Sequence, residues 1–320
     1  MERLELRTEP LFFEPVFKER IWGGTELTSF GYDIPSDKTG ECWAFAAHSN
    51  GQSIVKNGEL KGLALGELWE SHRSLFGNVE GDRFPLLTKI LDANQDLSVQ
   101  VHPNDEYAYL HENKELGKTE CWYVIDCKES AEIIYGHNAK TKEELAEMIE
   151  QDKWDELLQR IKVKPGDFFF VPSGTIHAIG AGVTILETQQ NSDTTYRVYD
   201  YNRKDADGKL RELHLEKSIE VTKVPSVHAT TNTQHWKVDD LKVARFIECH
   251  YFTVEKWDIN GTARLKQEKP FILVSVIKGN GKLIHEGNSY CFKKGDHFLL
   301  PADFGEYDVV GDAEMIAASL

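Results

Sequence analysis

Four residues with side chains that can bind a divalent metal lie in or beside short segments that have the composition of β-strands. Gln100 and His102 stand two positions apart in "LSVQVHPND", so on a strand they would share one face. His177 follows "VPSGTI" at the mouth of a strand, and Glu120 begins the strand "ECWYV". Two imidazoles and one carboxylate suit a catalytic Zn²⁺ with a position left for substrate or water. The same set suits Fe²⁺ in oxygenases, so the donors alone do not determine the metal.

Each of these residues also has an ordinary structural interpretation. A Q-x-H pair on a strand is most often two polar residues on a solvated face, and an amide is a weak ligand. Glu41 in "GECW" repeats the context of Glu120 in "TECW" and is a rival for the anionic position. The pattern of residues alone therefore leaves both the metal site and the structural interpretation open.

Short segments rich in β-branched and aromatic residues must position these side chains. Segments such as "CWYVIDC", "FFFVP", "VTILETQQ", "FILVSVIKG" and "HFLLP" are bounded by Gly, Pro or Asp, which is typical of strands. Three helices are expected, at 65–77, 141–161 and 210–222, and the second opens with a capping box from Thr141 to Glu144. The sequence therefore predicts a mainly β chain with a few accessory helices.

An internal repeat indicates the type of β fold. "VKPGDFFFVPSGTIHAI" (163–179) aligns with "FKKGDHFLLPADFGEYD" (292–308), with Gly-Asp and Pro at a constant offset. A hairpin is expected before each copy, in "WYVIDCKESAEIIYG" and in "FILVSVIKGNGKLIHEG". Two copies of a short-stranded β unit predict two jelly-roll, or cupin, barrels.

The repeat also predicts two domains, of which only the first binds a metal. The segment 225–236 is polar and apparently strand-free, and it separates a metal-binding cupin domain with helical insertions (1–228) from a second β domain (229–320). His177 of the first copy falls opposite Glu306 of the second. The second cupin-like domain is therefore expected to be metal-free.

Composition restricts the partners of the 320-residue chain. Its 37 basic and 53 acidic residues give a net charge of −16, which argues against a nucleic-acid or anionic-membrane surface. The N-terminus lacks the pattern of a signal peptide and no stretch is long and apolar enough for a membrane span, so a cytoplasmic location is expected. The five cysteines form no C-x-x-C and are expected to be reduced thiols. No protein partner is readable.

Four motifs resemble those of a known enzyme family. "QVHPND", "GKTECWYV", "VPSGTIHAIG" and "ETQQNSDTTYRVYDYNR" resemble segments of type I mannose-6-phosphate isomerases, particularly the short bacterial form. "ERIWGG" (19–24) and "GECWAFAAHSNG" (40–51) are similar to the family's opening segments. The resemblance covers about residues 15–220. It implies a zinc-dependent cupin enzyme that interconverts mannose 6-phosphate and fructose 6-phosphate.

The resemblance also implies roles for individual residues. It makes Gln100, His102, Glu120 and His177 the ligands of one Zn²⁺ ion. It makes Arg197 the catalytic arginine and places Glu187 and Lys118 in the pocket. It puts Arg203 where a phosphate-contacting base lies in longer family members. The chain departs from those members after Arg197, where it has "VYDYN" in place of a Gly-containing stretch.

The chemistry of aldose–ketose isomerisation leaves the general base open. Glu187 could carry the proton between C1 and C2, and Lys118 could do so only if its pKa fell. A water molecule or a zinc-bound hydroxide is also possible. The cations available for the phosphate are Lys89, Lys118, Arg203 and Lys204, with Arg203 favoured for its fork geometry.

Two other functions fit the same donors. One is an Fe²⁺-dependent cupin dioxygenase, and the other is a non-catalytic sugar-binding cupin. The acidic balance and the lack of a helix-turn-helix pattern argue against a regulatory DNA-binding role. The leading hypothesis is a zinc-dependent isomerase that acts on a small sugar phosphate.

Overall fold

The protein is described by a computed structural model that covers residues 9–204 and 208–320, and β-strands dominate it. The strands before residue 228 are β1 (Leu11–Glu14), β2 (Val16–Gly24), β3 (Thr39–Phe45), β4 (Ala47–His48), β5 (Gly51–Gln52), β6 (Ile54–Val55), β7 (Leu86–Ala93), β8 (Val99–Val101), β9 (Glu120–Cys127), β10 (Glu132–His137), β11 (Leu158–Lys162), β12 (Phe168–Val171), β13 (His177–Ile179), β14 (Val183–Gln190) and β15 (Tyr196–Tyr199). Those after it are β16 (Gln234–Val238), β17 (Leu241–Glu248), β18 (Thr253–Gln267), β19 (Ile272–His285), β20 (Asn288–Lys293), β21 (His297–Leu300) and β22 (Gly305–Ser319).

The helices are short and lie in the first part of the chain as described. They are α1 (Leu65–Ser71), α2 (Asp105–His111), α3 (Lys142–Glu150), α4 (Trp154–Leu157) and α5 (Leu215–Val221), and 3-10 turns occur at Glu26–Phe30 and Arg73–Phe76. Within the described ranges, no helix combines the length and the apolar character that crossing a membrane would require.

Two sheets of the first part pack face to face. One has the strand order β12-β9-β14-β7-β3-β2 and the other β11-β10-β13-β8-β15. Trp122 and Ile185 of the first sheet share a buried apolar cluster with Ile133 and Ile179 of the second. Because alternate residues of a strand face opposite sides, the apolar set of each strand fixes which side chains point between the sheets. The arrangement is that of a jelly roll.

A third sheet forms the second barrel and packs against the first. Its order is β16-β17-β18-β22-β19-β21-β1-β6, and β20 pairs with β19. The free face of the six-stranded sheet packs on it, with Ile90 and Leu186 in one buried cluster with Leu273 and Ile316. The six-stranded sheet is therefore the middle layer of the molecule. The N-terminal strands β1 and β6 join the third sheet, so the predicted division at residue 228 is crossed by the chain's first strand.

The predicted repeat forms the same turn in both barrels. Gly166 and Gly295 have φ of +93° and +89°, which a side chain would strain. Asp167 Oδ2 accepts the Lys164 N–H at 2.9 Å, and Asp296 Oδ2 accepts the Lys293 N–H at 2.9 Å. Each turn then leads into a short strand, β12 or β21. The Gly-Asp pair that the two segments share thus corresponds to one structural unit used twice.

The hairpins predicted before each repeat are wrong. β9 and β10 belong to different sheets, and 272–285 is one continuous strand, β19. Gly279 and Gly281, which suggested a turn, instead allow the strand to bend. β19 changes register between Val276 and Lys278, and Gly279 has a φ of +74°. The bend lets a single strand pair with β21 at one end and with β20 at the other.

The helix predicted over 141–161 is shorter than expected. Its start is confirmed, because Thr141 Oγ1 accepts the Glu144 N–H at 3.2 Å, but α3 ends at Glu150. Asp152 takes a left-handed φ of +52° and a one-turn helix follows. Residues 158–162 form β11 and pair with β10. Apolar residues at Leu158 and Ile161 were compatible with a helix, but pairing with a neighbouring strand decides the outcome.

The other helix predictions differ at their boundaries. The 65–77 segment forms α1 and a 3-10 turn, and the 210–222 segment is helical only from Leu215. Helix α2 was missed, although its start is signalled by Asn104, whose side chain accepts the Tyr107 N–H at 2.9 Å.

A buried polar network connects the two halves near β21. The hydroxyl of Tyr32 donates to the Gly295 carbonyl at 2.9 Å, so the Nε2–H of His297 donates to the Tyr32 oxygen at 2.7 Å. His297 Nδ1 then accepts from Ser275 Oγ at 2.9 Å. Burial, with a smaller effect of Lys56, lowers the pKa of His297 to about 3. The folded protein therefore holds this ring neutral.

We predict that His297 makes the protein less stable in acid. Between about pH 6.5 and pH 3 the unfolded chain protonates this residue and the folded chain does not, so stability falls as the pH falls. Replacing it (His297→Asn) should reduce the slope of unfolding free energy against pH by up to about 1.4 kcal/mol per pH unit in that window. Urea unfolding at several pH values measures this slope. The exposed His250 (His250→Asn) is the control, and equal slopes in wild type and His297→Asn would contradict the prediction.

Candidate metal centre and adjoining cavity

The candidate donors come from the two facing sheets of the first barrel. On one sheet, Gln100 of β8 is the Cα partner of both His177 on β13 and Arg197 on β15. His102 follows β8 directly. Glu120 is the first residue of β9 on the opposite sheet. The sandwich therefore brings a row of polar residues on one sheet up to a carboxylate on the other.

Three of the predicted donors converge on one point. His102 Nε2 lies 3.2 Å from His177 Nε2 and 3.4 Å from Glu120 Oε2, and His177 Nε2 lies 3.5 Å from Glu120 Oε1. All three side chains are 0–1% exposed. Two ligands about 2.05 Å from a tetrahedral Zn²⁺ would be about 3.3 Å apart. The spacing of the donors thus matches three ligands around one tetrahedral metal ion.

Hydrogen bonds fix which nitrogen of each histidine faces the centre. Nδ1 of His102 is 2.9 Å from the Thr194 carbonyl, and Nδ1 of His177 is 2.8 Å from the Thr175 carbonyl. Since a carbonyl only accepts, both Nδ1 atoms carry the proton. Burial lowers the pKa of both rings, that of His177 to about 4, so each neutral ring presents an Nε2 lone pair.

This arrangement fits a bound cation. Two Nε2 lone pairs that face each other at 3.2 Å repel, and Glu120 Oε2 is buried without a well-aligned hydrogen bond among the described residues. Lys118 Nζ is 3.0 Å from that oxygen and 3.1 Å from His102 Nε2, but it satisfies only part of the site. His102, Glu120 and His177 are therefore a buried group of three donors suited to a divalent metal.

The structure places the other two candidate donors differently. Gln100 is opposite His177 and lines the cavity beside the three donors, and its ligation stays a prediction. Glu41, the rival of Glu120, lies in the same cavity but away from the histidines. Its carboxylate accepts from Arg20 at 2.9 and 3.1 Å and from Trp43 Nε1 at 2.6 Å.

A cavity of about 350 Å³ opens beside the metal donors. Gln100, Lys118, Glu187 and Arg197, four residues of the predicted site, line it, and their roles stay predictions. Of the phosphate candidates, Lys89 also lines it, but Arg203 is absent from its wall. The wall contains charged residues that the sequence reasoning missed: Arg20, Asp193 and Arg211.

Buried glutamates and lysines alternate between the cavity wall and the metal donors. Trp122 Nε1 donates to Glu120 at 2.9 Å and to Glu187 at 3.2 Å, and Lys89 Nζ lies 3.5 Å from Glu187. Burial, with the charge of Glu120, raises the pKa of Glu187. Burial alone would lower the pKa of Lys118, but the carboxylates of Glu120 and Glu187 outweigh it and raise that pKa.

Arg197 is held at the wall by the chain that follows it. Its NH1 donates to the Glu212 carbonyl at 2.7 Å, and its Nε is buried without a hydrogen-bond partner among the described residues. An arginine preceded and followed by aspartates, Asp193 and Asp200, could simply form an ion pair with one of them, but the structure pairs both carboxylates with other residues. Asp200 pairs with Arg203 and Arg211, and Asp193 accepts from Asn50.

A chain of hydrogen bonds runs from the second barrel to the metal donors. Tyr251 donates to Asp105 Oδ2 at 2.9 Å, and Asp105 Oδ1 accepts from Gly117 N at 2.8 Å and Gln190 Nε2 at 2.9 Å. Gln190 Oε1 then accepts the Thr119 N–H at 2.9 Å. The segment that carries Lys118 and Glu120 is thereby fixed from both sides.

Comparison with protein families identifies two parts of the chain. Residues 11–123 match the model "Phosphomannose isomerase type I, catalytic domain". Residues 242–320 match the model "Mannose-6-phosphate isomerase, cupin domain".

Full-length relatives share this assignment. The chain is 68% identical over 315 residues to mannose-6-phosphate isomerase ManA of Bacillus subtilis, covering 98% of this chain and 100% of the relative. It is 54% identical over 312 residues to mannose-6-phosphate isomerase of Streptococcus mutans, covering 97% and 98%.

Solved structures give the same result. The crystal structure of mannose 6-phosphate isomerase from Bacillus subtilis superposes with a TM-score of 0.96 at 54% identity, covering 97% of this chain and 99% of that one. Phosphomannose isomerase from Salmonella typhimurium shares the fold, with a TM-score of 0.80 at 16% identity over 97% of this chain and 99% of that one. By sequence, fold and the convergence of its buried donors, the chain belongs to the type I mannose-6-phosphate isomerase family.

Proposed function

We propose that this chain interconverts mannose 6-phosphate and fructose 6-phosphate with one Zn²⁺ ion held by His102, Glu120 and His177, and with Gln100 as a fourth donor. The activity is that of its full-length relatives. The observation that carries the metal proposal is the pair of Nε2 lone pairs facing each other at 3.2 Å beside a buried carboxylate.

The choice of zinc follows from the donors and from the reaction. Imidazole and carboxylate donors suit either Zn²⁺ or Fe²⁺, but isomerisation uses no external oxidant and can employ a Lewis acid without redox activity. When bound there, the ion would polarise a sugar oxygen and offset the negative charge that develops on it. The full-length isomerase relatives favour this reaction over an oxygenase on the same donors.

The protein's own residues supply the rest of the chemistry. Lys118 places a buried ammonium beside the metal donors, and Arg197 places a guanidinium at the cavity wall, so both can stabilise negative charge on the substrate. We give Lys118 an electrostatic role, because its ammonium lies 3.0 Å from the Glu120 carboxylate. Glu187 is a buried carboxylate on the cavity wall, 3.5 Å from Lys89, and burial raises its pKa. We therefore assign the proton transfer between C1 and C2 to Glu187.

Zinc binding should stabilise the fold of metal-stripped protein. A ligand at 100 times its Kd stabilises by about 2.7 kcal/mol, which raises the unfolding temperature by several degrees. Replacing one donor (His177→Ala) should abolish most of this shift. The control is a buried histidine of the second barrel (His285→Ala), whose ring stacks on Phe304 at 4.0 Å. Thermal unfolding with and without Zn²⁺ measures the shift, and equal shifts in both variants would refute the assignment of the donors.

Activity should depend on the metal. A coupled assay of fructose 6-phosphate formation from mannose 6-phosphate should lose its signal after chelation and regain it with about one equivalent of Zn²⁺. Turnover by metal-free enzyme would exclude the metal mechanism. Absence of fructose 6-phosphate in the zinc-loaded enzyme, together with oxygen uptake after Fe²⁺ addition, would favour the dioxygenase.

Removing the proposed proton carrier should slow turnover without preventing binding. Glu187→Gln keeps an oxygen for the Trp122 N–H but cannot take a proton, so kcat should fall by about 10²–10⁴-fold. Exchange of the C2 hydrogen of mannose 6-phosphate with D₂O, followed by NMR, should fall in parallel. The control is Glu314→Gln, a carboxylate held by Lys256 and Lys278 on the second barrel. Normal exchange in Glu187→Gln would assign the proton transfer elsewhere.

A further inference from the structure

Three arginines gather around a single carboxylate at one end of the cavity. Asp200 accepts from Arg211 Nε at 2.7 Å and from Arg211 NH2 at 2.5 Å, and from Arg203 NH2 at 2.5 Å. Arg197 lies close enough for the charge of Arg211 to disfavour its own. Three guanidinium groups face the shared carboxylate of Asp200 and the exposed carboxylate of Glu212, which leaves an excess of positive charge at this point.

Only two of these arginines face the cavity. Arg197 and Arg211 line it, whereas Arg203 points its NH1 to the Asp96 carbonyl at 2.5 Å and is absent from the wall. The two-point pair with Asp200 holds the guanidinium of Arg211 rigidly at the wall. Arg197 contributes a buried Nε–H that has no hydrogen-bond partner among the described residues.

The strand register gives the distance from this group to the metal donors. His177, Gln100 and Arg197 are Cα partners in a row across three neighbouring strands. Neighbouring strands are about 4.8 Å apart, so the backbone of Arg197 lies roughly 10 Å from that of His177 on the same face. A six-carbon sugar phosphate bound through its C1 and C2 oxygens would extend its phosphate along this row.

The other cations of the cavity are already balanced by carboxylates. Lys89 lies 3.5 Å from Glu187, and Lys118 lies 3.0 Å from Glu120. The excess positive charge is therefore at the arginine end. A phosphate carries a charge of about −1.5 to −2 near pH 7 and accepts paired N–H donors from a guanidinium fork.

We propose that Arg211, together with Arg197, binds the phosphate of the substrate. Asp200 is a positioning residue for Arg211, and Arg203 forms an ion pair with Asp200 from outside the cavity. This rests on the proposed function only in taking a sugar phosphate as the ligand. It replaces Arg203, which the family resemblance favoured, with a residue eight positions further along the chain.

Steady-state kinetics of two matched variants tests this assignment. Arg211→Gln removes one charged contact to the phosphate and should raise KM for mannose 6-phosphate by about 10- to 100-fold, with a much smaller change in kcat. Arg203→Gln should change KM by less than about threefold, because Arg211 still holds Asp200. Arg264→Gln, which removes an exposed arginine paired with Asp308 on the second barrel, is the control for loss of a surface ion pair.

Binding of inorganic phosphate provides a readout that does not depend on turnover. Phosphate should bind the wild-type protein and the Arg203→Gln variant with similar Kd by calorimetry, and should bind Arg211→Gln at least tenfold more weakly. Arg211→Lys keeps a charge beside Asp200 and should give an intermediate Kd, and it serves if Arg211→Gln does not fold. Phosphate binding unchanged in Arg211→Gln, or weakened more in Arg203→Gln, would overturn the proposal. A wild-type protein that binds phosphate but does not convert mannose 6-phosphate would instead contradict the proposed function.

Discussion

The close approach of the buried side chains of His102, His177 and Glu120 is the constraint on which the rest of the site depends. Two neutral imidazoles with their lone pairs 3.2 Å apart would not persist in a dry interior without a cation or rigid support. The support is visible, since carbonyls of Thr194 and Thr175 fix both rings through Nδ1. Those carbonyls also determine the tautomer, so the ligand atoms are chosen by backbone geometry.

Rigidity of this kind explains why the site lies between two sheets instead of on a loop. The sheet that carries Glu120 is the middle layer, with apolar clusters on both faces. The second barrel packs on its far face and reaches the metal segment through Tyr251 and Asp105. The second barrel therefore contributes to the site by restraining the segment that carries Lys118 and Glu120.

Local signals in the sequence predicted the parts of this structure that local chemistry determines. The Gly-Asp turns at 166 and 295 and the cap at Thr141 formed as expected, because each depends on neighbouring residues alone. The hairpin within 272–285 and the end of the 141–161 helix were wrong, because pairing with distant strands decided them. The three central donors stand beside strands with clear patterns. Arg211 lies at the start of the segment predicted as a helix over 210–222, which is helical only from Leu215, and only the fold shows that Arg211 faces the cavity.

The distribution of charge along the cavity follows from the same sheet geometry. Near the metal donors each buried lysine has a carboxylate within 3.5 Å, so that end is close to neutral before a metal binds. Two strands away, Arg203 and Arg211 share Asp200, and Arg197 lies beside them on the cavity wall. The excess positive charge at the arginine end favours the orientation in which the phosphate of the substrate lies there and its carbonyl end lies beside the metal donors. Binding of the phosphate at the arginine end would thus help to position C1 and C2 of the substrate beside the metal donors.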